Sequence, residues 1–83
     1  MTGSNRAAAR FIQMRRHYIS SSVIRWYRLD PETGALEIEF VSGSQYRYSG
    51  VPKTMLEALE AAPSKGRFFD ANIREHFKTE RLR

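Results

Sequence analysis

A tryptophan and several arginines are predicted to lie together on a surface that could bind nucleic acid. Trp26 is the only tryptophan of the chain, and Arg25 and Arg28 are close to it in sequence. Strand alternation places Arg28 and Arg47 on the same predicted sheet face as Trp26. Single-stranded nucleic acids are bound by aromatic rings that stack on bases, beside cations that contact phosphates. The candidate binding residues on this face are therefore Trp26, Arg25, Arg28 and Arg47.

Other roles of Trp26 remain open. Glu37 and Glu39 would place two carboxylates where the phosphates of a nucleic acid would run. An exposed Trp26 beside Ile24 and Val41 would form a small apolar patch. Such a patch could contact a protein partner or a second copy of the chain, because tryptophan and arginine favour interface centres. Alternatively, the N-terminal segment folds back and covers the indole with Phe11, Ile12 or Met14.

A second candidate site is the sequence Ser64-Lys65-Gly66-Arg67, at the predicted start of a helix. Backbone N–H groups at a helix N-terminus favour anions, so Lys65 and Arg67 could hold a phosphate there. The alternative is a plain helix start, with Ser64 as the N-cap and a permissive glycine behind it. The full phosphate-loop pattern is absent.

The excess positive charge lies at the two ends of the chain. The formal net charge is +5; residues 1–20 contain four arginines and no acid, whereas residues 21–78 contain eight basic and eight acidic residues. The N-terminal arginines could bind nucleic-acid phosphates as a flexible arm, without sequence preference and in a salt-sensitive way. This basic arm comprises Arg6, Arg10, Arg15 and Arg16. The segment could form a helix capped by Asn5 or remain a frayed tail.

No motif indicates catalysis or cofactor binding. The chain has no cysteine, which excludes disulfides and thiolate metal sites. His17 and His76 lie far apart in sequence, and neither a Ser/His/Asp set nor a glycine-rich nucleotide motif is present. No apolar run reaches the ~20 residues of a membrane span. We therefore predict a cytoplasmic protein with no catalytic residue, no cofactor, no metal and no membrane contact.

A predicted β-meander positions the candidate residues. Leu36, Ile38 and Phe40 alternate with acidic residues, which is typical of a strand with one buried face. The sequences "DPETG" and "SGS" are turn-forming and separate this strand from one on each side. The pattern predicts three antiparallel strands with one apolar face and one charged face.

The alternation of side chains between the two sheet faces predicts the register of both hairpins. A shift of one residue would move every side chain of a strand to the opposite face. The first hairpin is predicted to pair Asp30 with Ala35, Leu29 with Leu36, Arg28 with Glu37 and Tyr27 with Ile38. The second, around the three-residue loop Ser42–Ser44, is predicted to pair Val41 with Gln45, Phe40 with Tyr46, Glu39 with Arg47 and Ile38 with Tyr48. A two-residue loop would place Arg47 among apolar groups. Tyr46 and Tyr48 are therefore predicted to point inward.

Two helices are predicted to cover the apolar face. "VPKTMLEALEAAP" begins with Pro52 in the first helical turn, and "SKGRFFDANIREHF" repeats apolar residues every four positions through Phe77. The predicted core comprises Tyr27, Leu29, Leu36, Ile38, Phe40, Tyr46, Tyr48, Met55, Leu56, Leu59, Phe69, Ile73 and Phe77.

The predicted fold class is α+β: a three-stranded antiparallel β-meander with two C-terminal helices packed on one face, and an N-terminal helix if the basic segment folds. Residues 1–20 are a basic N-terminal extension, residues 21–78 the domain, and residues 79–83 a C-terminal tail. A chain of this length has room for one core.

Four segments of the chain occur in an order and spacing that resemble a known family. They are "SSSVIRWYRLD", "LEIEFVSGSQYRY" with its central Tyr-x-Tyr, "VP" at a helix start, and "APSKGRFFDANI". From about Ser21 to Phe77 the chain resembles the KTSC domain, a short module found at the C-terminus of some lysyl-tRNA synthetases and as free-standing bacterial and phage proteins. The arginine-rich extension before Ser20 and the bulky Trp26 depart from the family pattern. The synthetase context implies RNA binding only by analogy.

These observations predict a small, non-catalytic binding module that associates with RNA, as the resemblance implies. The alternative is a protein-interaction or self-association module that works through the sheet face of Trp26.

Overall fold

The structure, a computed structural model, describes residues 15–83 as an α+β fold with a five-stranded antiparallel sheet and two helices. In chain order the elements are β1 His17–Tyr18, β2 Ile24–Asp30, β3 Ala35–Phe40, β4 Gln45–Ser49, α1 Lys53–Ala61, α2 Lys65–Asn72 and β5 Lys78–Arg81. The strand order in the sheet is β1-β2-β3-β4-β5. The predicted N-terminal helix capped by Asn5 lies outside the described residues.

The α+β class is confirmed, but the prediction of three strands is wrong, because a short strand is added at each edge of the meander. β1 pairs with β2, and β5 pairs with β4. Neither has the alternating apolar pattern that identifies a strand: β1 has two residues, and all four residues of β5 are exposed. Residues that the sequence assigned to an N-terminal extension and a C-terminal tail therefore belong to the sheet.

The first hairpin has the predicted register, from Asp30 opposite Ala35 to Tyr27 opposite Ile38. The turn is closed by the Gly34 amide, which donates to the Asp30 carbonyl at 2.9 Å. The buried Asp30 carboxylate accepts a hydrogen bond from the Glu32 amide at 3.1 Å. Gly34 has φ +73, and a Cβ at this position would lie 2.8 Å from the Val51 carbonyl oxygen. Only glycine meets both conditions at this turn.

The second hairpin differs from the predicted register by two residues. The loop is Val41–Gly43, closed by the Phe40 amide donating to the Ser44 carbonyl at 2.9 Å. Three-residue hairpin loops place a left-handed residue last, and Gly43 with φ 97 fills that position. The predicted pairs Phe40–Tyr46, Glu39–Arg47 and Ile38–Tyr48 are therefore wrong, and the actual pairs are Ile38–Tyr46, Glu37–Arg47 and Leu36–Tyr48. Because the shift is even, every side chain keeps its predicted face.

A bulge in β2 changes the face of Ile24. The pairing shifts between Ile24, opposite Phe40, and Trp26, opposite Glu39. The extra residue in the strand turns Ile24 toward the helices, where it is buried in the core. The prediction that Ile24 shares a sheet face with Trp26 is therefore wrong.

The helices begin where the sequence predicted, and the second ends earlier. Pro52 precedes α1, and the Ser64 hydroxyl caps α2 by accepting a hydrogen bond from the Arg67 amide at 3.4 Å. α2 ends at Asn72, although the apolar repeat had predicted a helix through Phe77. Glu75 has φ +66, a left-handed conformation that ends the helical path and lets the chain return to the sheet as β5.

One hydrophobic cluster joins the sheet to both helices and contains every predicted core residue. Eight of them are buried: Tyr27, Leu36, Ile38, Tyr48, Leu56, Leu59, Phe69 and Ile73. Five are partly buried against that cluster: Leu29, Phe40, Tyr46, Met55 and Phe77. Ile24 and Val51 are also buried there, although the sequence did not predict it. The sheet therefore has a core face toward the helices and an outer face that carries Trp26. Within residues 15–83, neither helix is long and apolar enough to cross a membrane.

Candidate functional site

A groove of about 1420 Å³ opens on the core face of the sheet, beside α2. Its walls are α2, the segment Ile19–Val23, the loop after β3, and the strands β4 and β5. Aromatic side chains form its floor: Phe40, Tyr46, Tyr48 and Phe69. We call this feature the aromatic groove.

The floor of the aromatic groove is a connected set of rings. Phe40 contacts Tyr46 edge-on at 5.8 Å between ring centroids and Phe69 in a tilted arrangement at 5.5 Å. Tyr48 packs edge-on against Phe69 at 5.3 Å. Tyr48 and Phe69 are buried, whereas Phe40 and Tyr46 remain partly exposed. The floor therefore combines core rings with rings that a ligand can reach.

Tyr46 is the floor residue best placed for contact with a ligand. Its ring is partly exposed in the groove, and the guanidinium carbon of Arg81 lies 5.8 Å from its centroid. The Arg81 cation lies near the ring because Tyr46 and Arg81 are cross-strand partners in β4 and β5. An aromatic ring beside a guanidinium can stack on a planar group and also attract its negative charge.

Serine hydroxyls and cations form the rim of the aromatic groove. The serines are Ser20, Ser21, Ser22, Ser42, Ser44 and Ser64, and the cations are Lys65, Arg67 and Arg74. The Ser21 hydroxyl accepts hydrogen bonds from the amides of Val23 and Ile24, both at 3.1 Å. An accepting hydroxyl still has a proton to donate, so the rim offers donors to an anionic oxygen.

The rim cations differ in how they are held. The Lys65 ammonium donates to the Ala62 carbonyl at 3.2 Å, and Arg74 forms an exposed pair with Asp70 at 2.8 Å. Arg67 is exposed, and its guanidinium has no hydrogen bond or ion pair within residues 15–83. Asp70 and Glu75 also line the groove. The cationic end of the groove is therefore at the start of α2.

The phenol of Tyr48 remains neutral over the physiological pH range. Burial, reinforced by the neighbouring Tyr46, raises the pKa of Tyr48 to about 12, although Arg74 acts in the opposite direction. A neutral phenol can donate a hydrogen bond but is not a nucleophile at neutral pH. The Tyr48 hydroxyl can therefore act only as a hydrogen-bond donor or acceptor at neutral pH.

Trp26 is buried on the outer face, so of the alternatives that the sequence left open the exposed indole is wrong and the covered indole is found. Only 2% of the residue is exposed. The guanidinium carbon of Arg16 lies 4.3 Å from the ring centroid, and that of Arg28 lies 5.6 Å from it. These distances are typical of cation–π contacts. The side chains that the sequence predicted as a cover, Phe11, Ile12 and Met14, lie outside the described residues.

Two buried carboxylates hold the arginines that the sequence proposed for nucleic-acid contact. Glu37 is 3% exposed and accepts hydrogen bonds from Arg28 and Arg47, with closest distances of 2.8 Å for both. Glu39 is also buried and forms a pair with Arg25 at 3.5 Å. Both acids lie on the predicted charged face of the sheet, but they are buried there. Paired guanidiniums are less available to phosphates, because binding a phosphate competes with the carboxylate.

The structure separates the predicted binding residues into two groups. Lys65 and Arg67 lie at the aromatic groove, whereas Trp26, Arg25, Arg28 and Arg47 belong to the outer face. Arg15 and Arg16 are exposed, and Arg6 and Arg10 lie outside the described residues.

Sequence reasoning missed the groove itself. It placed Tyr46 among core residues and proposed no binding role for Arg74 or Arg81. The signal that could have found Arg81 is weak, since the strand that places it beside Tyr46 contains no apolar residue.

The two histidines have different surroundings. The His17 ring stacks on Tyr27 with 5.0 Å between centroids, and His76 is exposed. The Tyr27 hydroxyl donates to Glu60 at 3.4 Å; burial, together with Glu60, raises the pKa of Tyr27 to about 12. Within residues 15–83, no group of three or more His, Cys, Asp and Glu side chains is placed to hold a metal ion.

Comparison with known proteins finds similarity over most of the chain. Residues 20–77 match the family model of the KTSC domain. A lysine–tRNA ligase of Nostoc sp. (strain PCC 7120) is 49% identical over 61 residues, and an uncharacterized protein of Stutzerimonas stutzeri is 40% identical over 70 residues. The crystal structure of a KTSC domain protein from Yersinia pestis has 38% identity to this chain and a TM-score of 0.78.

The extent of each match differs between the two kinds of relative. The matched region covers 74% of this chain but spans 11% of the ligase. The match to the Stutzerimonas stutzeri protein covers 83% of this chain and 99% of that protein. The match to the Yersinia pestis structure covers 84% of this chain and 99% of that chain. The same module therefore occurs as a small part of a larger enzyme and as nearly all of a short protein.

Proposed function

The chain belongs to the KTSC domain family, and we propose that it is a small non-catalytic module that binds single-stranded RNA in the aromatic groove. Relatives named as lysine–tRNA ligases provide an RNA context, because a protein of that name acts on tRNA. The matched module is a small fraction of those relatives, so this context supports the proposal by analogy.

The observation that carries the proposal is the position of Tyr46. Its ring is partly exposed on the groove floor, supported edge-on by Phe40 and accompanied by the Arg81 guanidinium. Single-stranded RNA is bound by proteins that stack its unpaired bases on aromatic rings and on arginine planes. In this proposal, Tyr46 stacks on a base, and Arg81 contacts the adjoining backbone.

The start of α2 supplies the proposed phosphate contacts. Lys65 and Arg67 lie on the groove rim at a helix N-terminus, where backbone N–H groups favour anions. The rim serines add hydroxyl donors that can reach phosphate or ribose oxygens. Contacts of this kind are tolerant of base identity, so the proposed binding is salt-sensitive and weakly sequence-selective.

The alternative function, a protein contact through Trp26, is less well supported by the geometry. Trp26 is 2% exposed, so its indole offers almost no area to a partner. The neighbouring arginines Arg28 and Arg47 are bound to Glu37. Both features disfavour the outer face as an open docking surface.

A titration of fluorescently labelled single-stranded RNA, followed by anisotropy, tests the proposal. Tyr46→Phe keeps the ring and is expected to bind nearly as well as the wild type. Tyr46→Leu keeps apolar volume but removes the stacking surface, and should weaken binding by about 1–3 kcal/mol. The free energy of unfolding of each variant must be measured in parallel, because Tyr46 also contacts the core.

A pair of charge reversals provides a matched control. Arg67→Glu changes a rim cation, whereas Lys53→Glu makes the same change in charge at an exposed helix position that does not line the groove. We expect Arg67→Glu to weaken RNA binding strongly and Lys53→Glu to have a smaller, non-specific effect. Equal losses for both variants, or no binding of RNA by the wild type at low salt, would show that the groove is not an RNA site.

A further inference from the structure

The strand β5 is an open edge of the sheet. It is the last strand in the order β1-β2-β3-β4-β5, and no other strand of the described residues pairs with its outer side. All four of its residues, Lys78–Arg81, are exposed. An exposed strand edge presents unpaired N–H and C=O groups that can pair with another strand.

The hydrogen-bond pattern shows which residues of β5 point away from β4. The Leu82 amide donates to the Gln45 carbonyl at 2.8 Å, so the backbone of Leu82 points toward β4. Backbone direction alternates along a strand, and therefore Glu80 and Lys78 also point toward β4. The backbone groups of Thr79 and Arg81 point to the open edge.

We propose that β5 pairs antiparallel with β5 of a second copy of this chain, about a twofold axis at Thr79. A twofold axis perpendicular to the sheet keeps the two core faces on the same side, and it places the two copies of one residue directly opposite each other. Centring on Lys78, Glu80 or Arg81 would oppose two like charges, which is unfavourable, whereas Thr79 is uncharged. With the axis at Thr79, its outward-pointing backbone groups hydrogen-bond to the same groups of the second copy.

The charges of β5 are complementary in the Thr79-centred register. Lys78 of each copy then lies opposite the partner's Glu80, so the two symmetric pairs both join opposite charges. The Lys78 ammonium has no hydrogen bond or ion pair within residues 15–83, and 66% of the Glu80 side chain is exposed. Glu80 already lies 3.4 Å from Arg47, and it can bridge Arg47 and a lysine of the second copy.

Charged residues on edge strands usually oppose pairing between copies. A strand with charges of one sign would do so here. The segment Lys78-Thr79-Glu80 instead has a positive residue on one side of Thr79 and a negative residue on the other. Two antiparallel copies centred on Thr79 therefore place each lysine opposite a glutamate. The contact is small compared with standard interfaces, so we expect reversible association that depends on concentration.

The proposed dimer brings two grooves to one side of a continuous sheet. Thr79 lines the aromatic groove and also lies on the proposed axis. The two grooves would therefore adjoin across that axis. The pairing does not depend on what the groove binds, and its test requires no RNA.

Sedimentation velocity over a concentration series tests the pairing. The wild type is expected to show a sedimentation coefficient that rises with concentration. Lys78→Glu and Glu80→Lys should each lose this rise, because each variant would place like charges opposite each other. An equimolar mixture of the two variants should regain it, because every facing pair is again opposite in charge. A wild type that remains monomeric at all concentrations, or a mixture that behaves like the separate variants, would overturn the proposal.

Cysteine cross-linking tests the register. The chain has no native cysteine, so a single introduced thiol reports only on its own position. Thr79→Cys is expected to form a disulfide-linked dimer rapidly under mild oxidation, because facing residues of a strand pair lie within disulfide distance. Arg81→Cys places the thiol on the same strand and the same face, but away from the twofold axis. This variant should therefore cross-link slowly. Equal rates for the two variants would overturn the Thr79-centred register.

Discussion

The Tyr48 ring packs edge-on against the Phe69 ring at 5.3 Å, and this contact joins β4 to α2 beneath the groove. Both residues are buried, with 4% of Tyr48 and 2% of Phe69 exposed. The second tyrosine of the Tyr-x-Tyr motif therefore belongs to the core, whereas the first, Tyr46, is accessible from the groove. The two tyrosines therefore differ in exposure even though they lie on the same sheet face.

Truncation of Tyr48 is expected to destabilise the fold. Tyr48→Ala would leave a cavity between β4 and α2 and lower the free energy of unfolding by about 3–5 kcal/mol. Tyr48→Phe keeps the packing and is expected to cost less than about 1 kcal/mol. Urea denaturation followed by circular dichroism measures both. A Tyr48→Ala variant of unchanged stability would contradict the assignment of this ring to the core.

Stability is expected to fall in alkaline solution because of two buried phenols. Burial raises the pKa of Tyr27 and of Tyr48 from 10.0 to about 12. Between these values the unfolded chain loses phenol protons that the folded chain retains, so the free energy of unfolding decreases as pH rises. The contribution of each buried phenol to the free energy of unfolding is fully present below pH 10.0 and is lost as the pH rises through about 12.

Denaturation midpoints across this pH range, with tyrosinate absorbance recorded in parallel, check the alkaline prediction. Tyr48→Phe serves as the control, because it removes one of the two phenols and should reduce the pH dependence. A variant with the same slope as the wild type would show that Tyr48 does not contribute.

Neutralising Glu37 should lower the free energy of unfolding more than neutralising an exposed acid whose ion pair is equally short. Glu37→Gln removes the charge that Arg28 and Arg47 share, and the expected loss is roughly 3 kcal/mol because the site is buried. Asp70→Asn breaks the exposed pair with Arg74, and the expected loss is about 0.5 kcal/mol or less. Chemical denaturation of the two variants measures the difference. Equal effects would indicate that the Glu37 network is solvated.

Alanine substitutions at two glycines with nearly equal φ angles can distinguish the cost of backbone strain from the cost of a steric clash. Gly34 and Gly50 have φ +73 and +75, so replacement by alanine carries a similar left-handed penalty of about 1–2 kcal/mol at each. At Gly34 the new Cβ would also lie 2.8 Å from the Val51 carbonyl oxygen, whereas at Gly50 it would meet nothing within 4 Å. We expect Gly34→Ala to be less stable than Gly50→Ala by about 1–3 kcal/mol in thermal or chemical unfolding.

The sequence was sufficient to predict those features that repeat along the chain. Strand alternation at Leu36, Ile38 and Phe40 and the apolar stripes of the helices gave the α+β class and the composition of the core. The alternation of side chains placed Tyr46 and Tyr48 on the correct face, because the predicted register of the second hairpin was wrong by an even number of residues. The resemblance to the KTSC family is confirmed by the match over residues 20–77.

The features that were missed have no periodic signal. The Val41–Gly43 loop depends on which residue adopts a positive φ, and alternation alone does not determine that choice. β5 has four exposed residues, so no burial pattern marks it as a strand. The burial of Glu37 was missed, and the covering of Trp26 was left open, because alternation assigns a face to each residue but does not reveal what covers that face.

The two carboxylates on the outer face have a practical consequence for protein engineering. A procedure that redesigns surface charge to improve expression or solubility would select Glu37 and Glu39 from the strand pattern, since both alternate with apolar residues. Each carboxylate is instead enclosed and bound to an arginine. Libraries that vary the electrostatics of this domain should therefore keep these two positions fixed and place their diversity on the helices.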